Sequence, residues 1–245
     1  MSEPKRVMRA IVIGGSGALG RVVVATLAKE GARVAMTHHT DTIVTEGLLR
    51  AHDGLLARRV DVTDVPALSA TLTELADALG GVDALVHTVA VSSTRTPAGF
   101  DKLADTDAGG FDRMMAVNVR SALVATQALA PRLAGGNVVL VGSIDGVKSV
   151  PAPAAYAASK AALSGMAQAL AKELGPQRTC INVVAPGVLE SGLSATLPDE
   201  LKREYVKHSA RKRLGRHEEV ASVIAWLALS NTYVTGRTLV LDGGL

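Results

Sequence analysis

Seven short runs rich in Val, Ile, Leu and other strand-forming residues recur along this chain. They are RAIVIG from Arg9, ARVAMTH from Ala32, LLARRVDV from Leu55, VDALVHTV from Val82, NVVLVGS from Asn137, TCINVVAP from Thr179 and TLVLDGG from Thr238. Between most of them lie longer stretches whose apolar residues repeat at helical spacing, such as LGRVVVATLAKEG and AAYAASKAALSGMAQALAKELG. Strict alternation of strand and helix predicts a doubly wound parallel α/β sheet of Rossmann type. It would have seven strands, with right-handed crossovers placing helices on both faces. Aromatic residues make up only 2% of the chain and hydrophobic residues 48%, so the core must be built from Ala, Val, Leu and Ile, as buried parallel strands require.

The 245 residues show no repeat and no break in composition, and they read as one domain, residues 1–245. Residues 188–216, between the sixth strand and the last helix, lack clear alternation and are expected to form a lid. A net charge of +3 without a basic tract interleaved with aromatics gives no reason to expect nucleic acid as a partner. A single cysteine, Cys180, permits neither an intrachain disulfide nor a cysteine metal cluster, and it reads as a buried small hydrophobe. No signal-like or membrane-length apolar run is found, so a cytoplasmic protein away from membranes is expected.

The turn GGSGALG, residues 14–20, falls between the first strand and the first helix. There the backbone N–H groups of a helix start hold pyrophosphate, and glycine permits close approach. Its glycines can be read in three spacings. Gly15, Gly17 and Gly20 give one; Gly14, Gly17 and Gly20 a second; Gly14 and Gly20, with Ala18 in the middle place, a third.

A second group lies in SIDGVKSVPAPAAYAASK. Tyr156 and Lys160 are four apart and share one helix face. An ammonium beside a phenol lowers a pKa that would otherwise be about 10. Ser143 ends the fifth strand, at the sheet edge where open α/β folds bind ligands, and its hydroxyl suits gripping a carbonyl or alcohol oxygen. A bare Tyr-x-x-x-Lys is usually an ordinary helix-surface pair; with Ser143 and the glycine turn it points to proton transfer.

Together these motifs resemble the short-chain dehydrogenase/reductase family over essentially the whole chain, most of all its 3-oxoacyl-carrier-protein reductases. The resemblance selects the third glycine spacing. It implies a cofactor site of Gly14, Ser16, Gly17, Ala18, Leu19, Gly20, His38, His39, Asp61, Val62, Val89, Ala90, Pro186, Gly187 and Val188, together with Tyr156 and Lys160. It implies Asn118, in VNV, as the fourth catalytic residue beside Ser143, Tyr156 and Lys160, holding a water that links Lys160 to solvent. No metal is implied. His87 is expected to be structural, since no partner accompanies it at ligand spacing.

Ile13 and the HTVA of residues 87–90 depart from the family pattern at a junction expected to be repacked with apolar groups, with weaker bonding of the cofactor loop. Ala18 is expected to narrow the cofactor channel. The second strand ends at His38 with no acid before Asp41. A carboxylate there would bind the ribose of NAD, so its absence favours NADP, with NAD as the alternative.

The expected activity is therefore reduction of a ketone by NADPH, with a 3-oxoacyl thioester on an acyl carrier protein or coenzyme A foremost. Oxidation of a small secondary alcohol and a non-enzymatic nucleotide-binding regulator are the alternatives. A basic lid rim of Lys202, Arg203, Lys207, Arg211, Lys212, Arg213 and Arg216 would suit an acidic carrier. Small-residue helices near 110–133 and 152–174, and a last strand leaving Leu245 no tail to fold back on its own subunit, predict a homo-tetramer.

Overall fold

A computed structural model describes residues 6–94 and 100–245. The seven predicted strands all form: β1 (Arg9–Ile13), β2 (Arg33–His38), β3 (Leu56–Arg59), β4 (Ala84–His87), β5 (Asn137–Val141), β6 (Cys180–Pro186) and β7 (Thr238–Leu241). They make one sheet in the order β3-β2-β1-β4-β5-β6-β7, parallel throughout. The order reverses between β1 and β4, and the carboxyl ends of those two strands open a crevice there.

The helices are α1 (Ala18–Lys29), α2 (Thr42–Ala51), α3 (Val65–Leu79), α4 (Ala108–Met115), α5 (Ser121–Leu129), α6 (Ala154–Leu174), α7 (Asp199–His208) and α8 (His217–Leu229). Two apolar layers cover the sheet. On one face Leu68, Leu72, Leu75, Leu129 and Leu163 pack against Ile11, Leu85 and Val138. On the other, Val23, Leu27, Val220 and Ile224 pack against Val12, Val86 and Val139. Alternate residues of one strand feed opposite layers, which is why the strands read as continuous apolar runs. Cys180 is buried in β6, as expected.

The predicted lid is not irregular throughout. It contains a short turn of 3-10 helix, Gly192–Thr196, and then α7. Asp199 and Glu200 sit in the first turn of α7, and Lys207 and His208 in its last, each complementing the helix dipole.

Asp83 locks the amino ends of β1 and β4 together. Its carboxylate accepts from the Arg9 backbone N–H at 2.9 Å, from Arg9 Nε at 2.8 Å and from Arg6 at 2.6 Å. Burial alone would push this carboxyl up, but the bonds from Arg9 outweigh it and hold the group below its ordinary value. A depressed pKa contributes stability at neutral pH that is lost as pH falls through the folded-state value. Asp83→Asn should therefore lower stability in urea by about 2 kcal/mol at neutral pH, the scale of hydrogen bonds to a charged group. The difference from the parent protein should shrink as the titration is repeated below pH 4, and a constant difference would contradict this role.

Candidate active site

The glycine turn is held by backbone contacts that exclude side chains. A Cβ on Gly20 would lie 2.1 Å from the Gly14 carbonyl oxygen, so the first turn of α1 rests directly on the loop. Gly14 has φ of 83°, a left-handed conformation that glycine adopts without strain. Gly17 N–H donates to Gly14 O at 3.0 Å, and Gly15 N–H to Thr37 O at 2.9 Å.

The junction expected to be apolar is polar. Ile13 is fully buried in the core. The missing hydroxyl comes instead from the facing strand's end: Thr88 Oγ1 donates to Ile13 O at 2.8 Å and lies 3.2 Å from Gly14 O. Thr37 Oγ1 adds a bond from Gly14 N–H at 3.3 Å. The hydroxyl has changed sides of the junction, and the cofactor loop keeps its tie. Ala18 is accommodated as well. Its methyl packs against Gly192, where a Cβ would come within 2.9 Å, so a glycine in the lid makes room for it.

One cavity of about 1230 Å³ runs from this turn to the lid. Every residue expected to hold the cofactor lines it: Gly14, Ser16, Gly17, Ala18, Leu19, Gly20, His38, His39, Asp61, Val62, Val89, Ala90, Tyr156, Lys160, Pro186, Gly187 and Val188. Asp61 accepts from the Thr63 N–H and hydroxyl, both at 2.8 Å, and those bonds hold its carboxyl below the usual range. His38 Nδ1 is buried with no hydrogen-bond partner. Burial, then the charge of Arg59, lowers the His38 pKa. A loop of helix-start N–H groups, with no carboxylate at the end of β2, has the donor chemistry a phosphorylated dinucleotide needs.

Ser143, Tyr156 and Lys160 converge on the same cavity. Ser143 caps a 3-10 turn, Ile144–Gly146, by accepting from Asp145 N–H at 3.3 Å, and its hydroxyl offsets part of the effect of burial on the Tyr156 phenol. Lys160 is buried. Its Nζ donates to Val141 O at 2.8 Å and stands 5.6 Å from the Tyr156 ring centre. Burial pushes Lys160 down to about 8, opposed by the charge of Asp145.

The expectation of a lowered tyrosine pKa is corrected. Burial, then the charge of Asp145, raises Tyr156 above the ordinary phenol value, and the Ser143 bond offsets this only in part. Spacing along the helix identified the pair, but the opposing carboxylate comes from a different turn.

Asn118 stands behind the cavity wall. It is fully buried in a π-helical stretch, Ala116–Arg120, that joins α4 to α5. Its amide donates to Val91 O and to Ser159 Oγ, both at 2.9 Å, and its oxygen accepts from Val91 N–H at 2.8 Å. Both amide hydrogens thus brace the Val91 loop and α6.

His87 is structural, as expected. Ser121 Oγ donates to Val117 O and so accepts from His87 Nε2 at 2.7 Å. Burial, then the charge of Lys160, lowers His87 to about 3, so the ring is neutral. No cluster of metal-ligating residues occurs among the described residues.

The C-terminal segment departs from expectation. It folds back on its own subunit: Tyr205 of α7 donates to Asp242 O at 2.6 Å, Arg211 N–H to Gly243 O at 3.0 Å, and Lys148 binds both Asp242 and the Leu245 carbonyl. A Cβ on Gly187 would strike the Tyr205 hydroxyl, so that glycine is what lets α7 sit over the turn after β6.

Such a sheet, glycine turn and serine–tyrosine–lysine group define a dinucleotide-dependent oxidoreductase. Comparison with known proteins agrees. A family described as enoyl-(acyl carrier protein) reductase matches residues 15–245. The chain is similar to 3-oxoacyl-acyl-carrier-protein reductase MabA of Mycobacterium avium, with 29% identity over 99% of this chain and 92% of the relative. Dehydrogenase/reductase SDR family member 4 of Sus scrofa is 30% identical over 96% of this chain and 86% of the relative. Among solved structures, a short-chain dehydrogenase/reductase from Serratia marcescens superposes with a TM-score of 0.88 at 31% identity, covering 99% of both chains. A short-chain dehydrogenase from Burkholderia cenocepacia in complex with NADP superposes with a TM-score of 0.88 at 30% identity, covering 97% of each. The chain belongs to the short-chain dehydrogenase/reductase family and is an NAD(P)-dependent oxidoreductase.

Thr88→Val keeps the shape of the junction but leaves the buried Ile13 and Gly14 carbonyls without their shared donor. We expect a loss of about 1–2 kcal/mol in thermal or urea unfolding and weaker NADPH binding by fluorescence titration. Unchanged binding would show that the loop does not rely on this tie.

Proposed function

We propose that this protein reduces a ketone with NADPH. The observation that carries the reading is the convergence of Ser143, Tyr156 and Lys160 on the cavity that the glycine turn opens. The turn and the N-terminus of α1 would hold the pyrophosphate, Asp61 and Val62 the adenine, and Lys160 the nicotinamide ribose. When bound, the reduced cofactor supplies a hydride. Ser143 orients the substrate oxygen by hydrogen bonding, and Tyr156 donates its proton to that oxygen. Burial keeps the Tyr156 phenol protonated, the form that a proton donor needs. Asn118 positions α6 through Ser159 and keeps the Val91 loop at the cavity.

The unpartnered His38 nitrogen, with Arg59 beside it and no carboxylate at the end of β2, supports NADP over NAD. The NADP bound to the Burkholderia cenocepacia relative points the same way. Kinship with the mycobacterial reductase supports a 3-oxoacyl thioester on a carrier or coenzyme A as one such ketone. The cavity itself favours a free ketone. None of the seven basic lid residues lines it, and Lys202, Lys207 and Arg213 are engaged by Asp199, Glu204 and Glu219.

Trp226 and Tyr233 are exposed, and the residues of edge strand β7 are only partly covered, which supports self-association as a homo-tetramer. No helix among the described residues is long and apolar enough to cross a membrane.

Tyr156→Phe should lower kcat for ketone reduction by about 10²-fold or more, with NADPH binding retained, since general acid catalysis typically supplies about 10²–10⁴. Retention of more than about a tenth of the rate would refute the assignment. The Lys160 pKa gives a pH dependence: its ammonium is present below about 8 and lost above it. At saturating NADPH, kcat/KM should therefore be flat below about pH 8 and fall above it, and a profile rising through that pH would contradict the role given to Lys160. Exchanging the histidine, in His38→Asp, should shift the ratio of NADPH to NADH turnover toward NADH.

A further inference from the structure

The substrate end of the cavity lies between the Ser143 turn, the lid, and Val91 and Phe100, and much of its surface is apolar. Val91, Phe100, Val150, Pro151, Leu193 and Leu197 all face it. Two ionisable side chains at its outer end come from α7, and they are satisfied by each other and by the lid: Glu204 lies 3.3 Å from Lys207 and 3.5 Å from His208. One acid is different.

Asp145 is carried by the 3-10 turn that follows β5, two residues beyond Ser143, and it lines the cavity. Its carboxylate makes no ion pair with any described residue. Its backbone N–H donates to the Ser143 hydroxyl at 3.3 Å, which holds the two side chains to one end of the turn. The nearest buried cation, Lys160, points its ammonium at Val141 O instead. Gly146 fixes the turn against α6, since a Cβ there would lie 2.5 Å from Ala161 N, so Asp145 cannot swing away with its backbone.

A partly buried carboxylate without a counterion is costly. It is also sited one hydroxyl away from where the substrate oxygen must sit.

Resting on the ketone reductase reading, we propose that Asp145 is a specificity-determining residue that selects ketones bearing a hydrogen-bond donor, a hydroxyl or an ammonium, on the carbon next to the carbonyl. The carbonyl oxygen takes the Ser143 and Tyr156 protons, and the adjacent donor turns to the Asp145 carboxylate. A donor group would replace the water lost by that carboxylate and relieve the upward push that burial puts on its pKa. An unsubstituted ketone of the same size leaves the acid unpaired. A phosphate or free carboxylate at that carbon is repelled.

The experiment compares, under NADPH, a methyl ketone with its α-hydroxy and α-dimethylamino derivatives. It uses the full chain and the variants Asp145→Asn and Asp145→Leu, each checked for NADPH binding. For the unaltered protein, kcat/KM should favour both derivatives over the parent ketone by about tenfold or more, the scale of a hydrogen bond to a charged group. Asp145→Leu should bring both ratios toward one. Asp145→Asn keeps an acceptor oxygen without the charge, so it should keep much of the hydroxyl preference and lose the ammonium preference. Ratios near one in the unaltered protein, or ratios unmoved by Asp145→Leu, overturn the proposal while leaving the reductase reading intact. Equal loss on all three ketones with NADPH binding preserved also overturns it, by assigning Asp145 to the chemistry instead of to selection. Failure of every ketone in the unaltered protein would bring down the reductase reading itself, and this inference with it.

Discussion

Two carbonyl oxygens, those of Ile13 and Gly14, end the first strand where the order of the sheet reverses, and one threonine hydroxyl reaches both. The site depends on that contact. It joins β1 to the end of β4 where the order of the strands reverses. The glycine turn can then fold back until Gly20 touches Gly14, with α1 aimed into the crevice. From the same strand end the chain continues as Val89, Ala90 and Val91, and Asn118 grips Val91 by both its N–H and its carbonyl. Through Ser159 the same asparagine reaches the helix that carries Tyr156 and Lys160. A continuous set of polar contacts thus runs from the glycine turn to α6, all of it within two apolar layers that would not by themselves fix the register.

That continuity explains why substitutions at the junction were absorbed. The task at the end of β1 is to satisfy two buried carbonyls, and a hydroxyl on either strand serves. Ile13 turns its side chain into the core, Thr88 supplies the donor, and the geometry of the loop is unchanged. Ala18 and Gly192 show the same exchange between turn and lid: a methyl gained on one surface is matched by a side chain absent on the other.

Much of this was legible in the sequence because it is periodic or local. Strand runs, helix spacing, the glycine turn and the four-residue step from Tyr156 to Lys160 depend on neighbours a few positions apart. The misreadings all involved groups distant in sequence. Thr88 meets Gly14 across 74 positions, so Ile13 and the HTVA of residues 87–90 read as an apolar junction although Thr88 carries the donor. Asn118 meets Ser159 across 41, a contact that its local motif does not show. Lys148 meets Leu245 across 97, so the terminal residues were read as having nothing to fold against. The short helix α2, Thr42–Ala51, was not singled out either; only Thr45 of its residues is buried, so its apolar stripe is faint.

The electrostatics of the site were the least legible part, and they bear most directly on what it does. A tyrosine and a lysine on one helix face suggest a phenol made acidic by its neighbour. In the fold, burial raises the phenol, and Asp145, on the turn after β5, adds negative charge near it. Lys160 is weakened by the same burial and partly restored by the same carboxylate. The three groups therefore act on one another: the acid that holds the tyrosine proton in place also supports the charge of the lysine. One carboxylate, two residues beyond Ser143, thus bears on both ionisable groups that α6 carries into the cavity.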